Sequence, residues 1–106
     1  MLAPLVVEKI AAQAATEIGG IYGVRRRIAG RAAGSERVRA EADLDGQVAA
    51  VRLQLAAAFP APLLELTRQV RQHVTEQIQT LCSLRVDHVD ITVAALHGGA
   101  GQRRVQ

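Results

Sequence analysis

The side chains of this 106-residue chain best suited to chemistry lie in the stretch VDHVD, where His88 stands between Asp87 and Asp90. An imidazole beside carboxylates is suited to general acid–base work, provided a reacting group comes within about 3 Å. Alternation along a strand puts His88 and Asp90 on one outward face and Asp87 on the other. No nucleophile or pocket-forming loop accompanies them, so a solvated strand face is the better reading. Cys82 is the only cysteine, which excludes an internal disulfide, and one thiol with the scattered His73, His88 and His97 makes no metal cluster. A catalytic Cys–His pair would need Cys82, at a helix-to-strand corner, to meet one of these histidines. Gly20-Ile21-Tyr22-Gly23 spells the G-x-x-G of KH domains, but there the loop joins two helices, whereas here it follows a helix and precedes a long loop and a strand. A helix cap and chain punctuation account for these glycines. There is no P-loop lysine and no G-x-G-x-x-G between a strand and a helix. The expectation is no enzyme, no cofactor and no metal site.

The other chemical feature is the run GIYGVRRRIAGRAAGS, which packs Arg25, Arg26, Arg27 and Arg31 among Gly20, Gly23, Gly30 and Gly34. The formal charge of +3 is unevenly spread. Residues 19–40 carry six Arg against Glu36, while residues 41–102 carry four Arg against seven acids. Because twelve of the thirteen basic residues are Arg and alanine is abundant, a GC-rich coding sequence accounts for part of the high pI. Four phosphate contacts would give a salt slope of about −3.6, the signature of weak, non-specific binding to RNA or DNA. Single-strand binding also needs stacking platforms, and only Tyr22 lies near the arginines. The arginine run therefore reads as a contact for an acidic protein face or for anionic lipid headgroups, with a weak nucleic-acid module or a solvated loop as the alternatives.

The elements that must position these groups follow from periodicity. Val7, Ile10, Ala11, Ala14 and Ile18 fall on one helical face over about residues 5–18, with Glu8, Gln13 and Glu17 outward and Gly19-Gly20 as the stop. The arginine-rich connector up to about Glu36 is expected to be an irregular loop. Val38, Ala40, Ala42 and Leu44 then alternate with Arg37, Arg39, Glu41 and Asp43, a half-buried strand ending in Asp45-Gly46. Reading Asp45-Gly46 as a type I′ hairpin turn sets Leu44 opposite Gln47, Ala42 opposite Ala49, Ala40 opposite Val51 and Val38 opposite Leu53. It also sets Arg39 against Arg52. The second strand runs over about residues 47–58. Pro60 and Pro62 mark the next boundary, and Leu63, Leu66, Val70, Val74, Ile78 and Leu81 make the apolar stripe of a second helix. A last strand near residues 86–96 carries Val89, Ile91, Val93 and Ala95 on one face.

The expected fold is α+β, helix-strand-strand-helix-strand, with both helices on one face of a three-stranded sheet. Residues 1–97 form the domain and 98–106 a flexible Gly/Arg tail. The opposite face, with Arg39, Arg52, Gln54, Asp90 and Thr92, is left open, and Arg39 and Arg52 join the loop arginines as candidate partner contacts. Glu8 and Lys9 interrupt the apolar start MLAPLVVEKIAAQAA, no basic region precedes it, and no run approaches the roughly 20 apolar residues of a membrane span. A cytoplasmic location is expected.

From Val38 onward, the alternating strand, the Asp-Gly turn, AAVRLQLAAAFP and LLELTRQVRQHVTEQIQTLCSLRVDHVDITV together resemble the alkaline shock protein 23 family of bacterial envelope-stress proteins. Upstream, IAAQAATEIGGIYGV is similar to that family's first helix, so the likeness covers about residues 6–96. FP stands where Tyr-Gly is usual, and LCSL where Thr-Gly-Leu is usual. The resemblance implies a cytoplasmic, non-enzymatic protein that associates with itself and with small membrane-anchored partners, and whose loss perturbs the cell envelope. It supplies no catalytic residue.

Overall fold

In the computed structural model of the chain, the backbone is described for residues 3–28 and 31–97, and side chains for residues 3–23, 38–57 and 60–94. The elements in order are α1 (Pro4–Thr16), β1 (Ile21–Tyr22), β2 (Val24–Ile28), β3 (Arg31–Arg37), β4 (Arg39–Asp45), β5 (Val48–Phe59), α2 (Leu63–Cys82) and β6 (Arg85–His97). The main sheet is built on β5. Along one side β6 pairs with it in parallel over its whole length, and along the other β4 pairs antiparallel, followed by the short β1 opposite Ala56 and Ala57. The parallel β5–β6 pair is possible because α2 provides the long crossover that parallel neighbours require.

Both helices lie on one face, touching each other and the sheet. From the sheet, Val51, Leu53 and Leu55 are fully buried. They meet Val7, Ala11, Ala14 and Ala15 of α1 and Leu66, Val70, Val74 and Ile78 of α2. The small alanine face of α1 lets that helix lie close to its neighbours, which is how a chain with almost no aromatics closes its core. Along α2 the buried stripe ends on Cys82, while Leu63 and Leu81, expected in the stripe, are exposed. A fourth residue beyond Ile78 keeps to one side of a helix with 3.6 residues per turn, whereas the third drifts off it.

Three expectations about the strands change. The arginine-rich connector is not an irregular loop: β2 and β3 pair antiparallel in a separate two-stranded sheet, with Ile28 opposite Arg31. Glycine lowers strand propensity without forbidding extended pairing, and pairing satisfies backbone groups that a loop leaves to water. Within the core sheet, β1 adds a fourth strand to the three expected. The β4–β5 register is moved by two residues, with Asp45 opposite Val48, Ala42 opposite Val51 and Glu41 opposite Arg52. A slip of two keeps every side chain on its face, so hydrophobic pattern cannot choose between the two registers. Charge and turn geometry can. Glu41 now faces Arg52 in place of the like-charged Arg39. Of the two turn residues, Gly46 and Gln47, only Gly46 has a positive φ (62°), the pattern of a II′ turn with glycine first. The expected tail, 98–106, lies outside the described residues.

Candidate functional site

The candidate site is the face of the sheet opposite the helices. Registers across β4, β5 and β6 align its side chains in rows: Asp43, Ala50 and His88; then Glu41, Arg52 and Asp90; then Arg39, Gln54 and Thr92. Each lies on this face because strand side chains alternate and their neighbours Val51, Leu53 and Val89 are buried on the other. The face is polar and broad, with a depression of about 830 Å³ between Arg39, Gln54 and Thr92.

Arg52 is the centre of an ion-pair cluster. Its Nη1–H donates to Asp43 Oδ2 at 2.8 Å and its Nε–H to Glu41 Oε1 at 3.2 Å. Asp43 first, and Glu41 second, push the guanidinium pKa up, so the charge is held and largely answered within the face. Of the candidate contacts, the structure thus places Arg39 and Arg52 on the open face, with Arg52 engaged by two carboxylates. Arg25, Arg26, Arg27 and Arg31 belong to β2 and β3, and their side chains lie outside the described residues.

The Asp87-His88-Asp90 group is rearranged relative to expectation. A bulge between Val86 and His88 leaves Asp87 as the extra residue, so it no longer points to the face opposite His88. Asp87 Oδ2 lies 3.1 Å from His88 Nδ1, and Asp90 Oδ2 lies 3.8 Å from His88 Nε2. All three side chains are about half or more exposed, in water rather than in a cleft. The group thus sits on a solvated strand face. Cys82 and His73 do not meet. Nine residues along α2 separate them by roughly 13 Å. Cys82 is buried, and His73 Nε2 pairs with Glu17 Oε1 at 2.7 Å. That bond, with a second from Gln13, holds the Glu17 carboxyl below its ordinary range. Among the described residues, no three His, Cys, Asp or Glu side chains converge as metal ligands.

Two contacts with the sheet edges leave no trace in the hydrophobic period. Glu8, expected outward, instead turns to the free edge of β4, where its Oε2 accepts from the Ala42 N–H at 3.0 Å. Arg71 of α2 donates from its Nε–H to the Val89 carbonyl of β6 at 3.2 Å. Both residues directly follow a buried valine, Val7 or Val70, and flank the helix stripe. The only signal in the sequence is that flanking position, which long charged residues share all along a helix.

Comparison with solved structures gives the same fold in a set of MamM CTD structures. The copper form is 14% identical with a TM-score of 0.55, covering 93% of this chain and 92% of that one. A zinc form of a variant is 15% identical with a TM-score of 0.55, covering 90% and 88%. At this identity the likeness concerns the fold alone. Among curated proteins no match was found. No helix among the described residues is long and apolar enough to cross a membrane. A family match extends over residues 1–97, nearly the whole chain and all of the described fold: the chain belongs to the alkaline shock protein 23 family, a family with a cell envelope-related function.

Proposed function

We propose that the chain is a non-enzymatic scaffold of the cell envelope, acting on the cytoplasmic side through self-association and contact with a membrane-anchored protein. The observation that carries this reading is the uncovered face of the sheet. It is three strands wide and polar, and holds its charges in an internal network rather than around a cleft. Such a face suits a protein partner, whose polar groups can complete the rows, better than a small substrate. It also suits a protein better than a lipid surface, because Glu41, Asp43, Asp45, Asp87 and Asp90 outnumber Arg39, Arg52 and Arg85 on it. The copper and zinc forms of the MamM CTD do not carry a metal role over to this chain, since identity is low and the described ligands do not converge.

Within this reading, Arg25, Arg26, Arg27 and Arg31 of the β2–β3 arm, with Arg39, make a second contact for an acidic surface of the membrane partner. The test is membrane fractionation of cells carrying the tagged chain, followed by mild detergent extraction and identification of what remains bound. The wild type should sediment with membranes through a protein partner. Replacing the four arm arginines with Gln should release it while leaving the fold unchanged. A chain that stays wholly unbound in the cytosolic fraction contradicts the scaffold, and retention unchanged by the four substitutions contradicts the role of the arm.

A further inference from the structure

The main sheet has two free edges, and they are treated differently. On β4, the bond from Ala42 N–H to Glu8 shows that Ala42 turns its backbone groups away from β5. Alternation gives Ala40 and Leu44 the same outward direction. Opposite Ala42, Val51 therefore directs its groups to β6, where they meet the residues flanking Val89. Val89, Ile91, Val93 and Ala95 in turn present their N–H and C=O groups at the outer edge of β6. The Arg71 bond to the Val89 carbonyl lies on that edge.

Exposed edges invite pairing with another chain, and proteins blunt them with charges, bulges, proline or covering groups. The β4 edge has such protection in Arg39, Glu41, Asp43 and Asp45, together with the Glu8 bond. The first half of β6 has it as well: Arg85, Asp87 and Asp90, the bulge at Asp87, and Arg71. The second half, Ile91–Leu96, reads ITVAAL and has none: its six residues include no charge, proline or glycine, and Ile91, Thr92 and Val93 have high strand propensity. Among the described residues, no strand pairs with its outer side. Ile91 and Val93, on the helix-facing side, remain partly exposed because the core stops there.

We infer that the edge at Ile91–Leu96 is an interface for a second copy of this chain, pairing antiparallel about a two-fold axis at Val93 and joining two sheets into one. The inference rests on the scaffold reading and gives its self-association a place. The segment is complementary to itself. About that axis Val93 faces Val93, Ile91 faces Ala95, Thr92 faces Ala94 and Asp90 faces Leu96, so no like charges are opposed. Outward backbone groups meet outward groups, and the helix-covered faces fall on the same side, so the two cores become continuous. Arg71 keeps Val89 out of the pairing, which ends with Asp90 opposite Leu96.

The test is analytical ultracentrifugation of the full chain across a concentration series, with circular dichroism as the check on folding. Thr92 and Ala94 are exposed on the open face, so their replacement leaves the core intact. Thr92→Lys combined with Ala94→Lys sets lysine opposite lysine twice about the axis and should weaken association by about tenfold or more. Thr92→Lys combined with Ala94→Glu sets lysine opposite glutamate and should restore it. A folded double-lysine variant that associates as tightly as the wild type overturns the inference. A wild type that is monomeric at every concentration, yet still retained by a membrane-anchored partner, overturns edge pairing and leaves the rest of the scaffold reading standing.

Discussion

Ser83 closes α2 in the left-handed region, with φ 57° and ψ 34°, and is the one non-glycine residue of positive φ among the described residues. Its Cβ there costs about 1–2 kcal/mol relative to glycine. Glycine would gain that back but lose about 0.5–1 kcal/mol to the greater freedom of the unfolded chain. The Ser83 N–H bond to the Gln79 carbonyl at 3.1 Å is a backbone bond and survives the change. The side chain is exposed, so no burial is lost. Ser83→Gly should therefore raise stability by about 0.5–1 kcal/mol, which for a domain of this size is a Tm increase of roughly 2–8 °C. Ser83→Val, with a β-branched side chain in the same conformation, should lower it. Thermal and urea unfolding followed by circular dichroism measure both. The reasoning fails if the glycine variant is no more stable than the wild type, or if valine is tolerated as well as serine.

Leu53 is buried at the centre of β5, and Leu53→Ala should cost about 2–5 kcal/mol in urea unfolding, whereas the 84%-exposed Leu64 should tolerate alanine within about 0.5 kcal/mol. Removing the cap on the β4 edge by Glu8→Ala should cost about 1–2 kcal/mol and speed hydrogen exchange at the Ala42 amide specifically. Glu17 has a depressed carboxyl pKa because His73, and then Gln13, bond to it. Its contribution is present above the ordinary Glu range and is lost as pH falls through the lowered value. An NMR titration should show Glu17 protonating below a free Glu, and His73→Ala should move it back up and remove its share of the acid-side loss of stability.

The long elements were legible because their signals are redundant. Six apolar positions at helical spacing point to α2, and four of them, Leu66, Val70, Val74 and Ile78, are buried, although Leu63 and Leu81 proved exposed and Cys82 completes the stripe. Alternation in β4, β5 and β6 located the open face and its members Arg39, Arg52, Gln54, Asp90 and Thr92. What the sequence hid was decided by weaker or longer-range terms. The β4–β5 register depends on one charge pair and one turn, since a slip of two leaves the hydrophobic rows unchanged. The pairing of β2 with β3 was masked by glycines that argue against strands locally. The bulge that brings Asp87 beside His88 comes from fitting β6 along β5, a fit no local pattern encodes. The contacts of Glu8 and Arg71 with the sheet edges depend on where the helices come to rest.

The central claim is that the uncovered sheet face carries out its envelope function by binding protein. A photo-crosslinking residue placed at Gln54, in the middle of that face, tests it in living cells. The account predicts a discrete adduct with a membrane-anchored protein, absent when the probe is moved to the exposed, helix-side position Gln72. A probe at Gln54 that gives no protein adduct, in cells where the chain is abundant and folded, would contradict it.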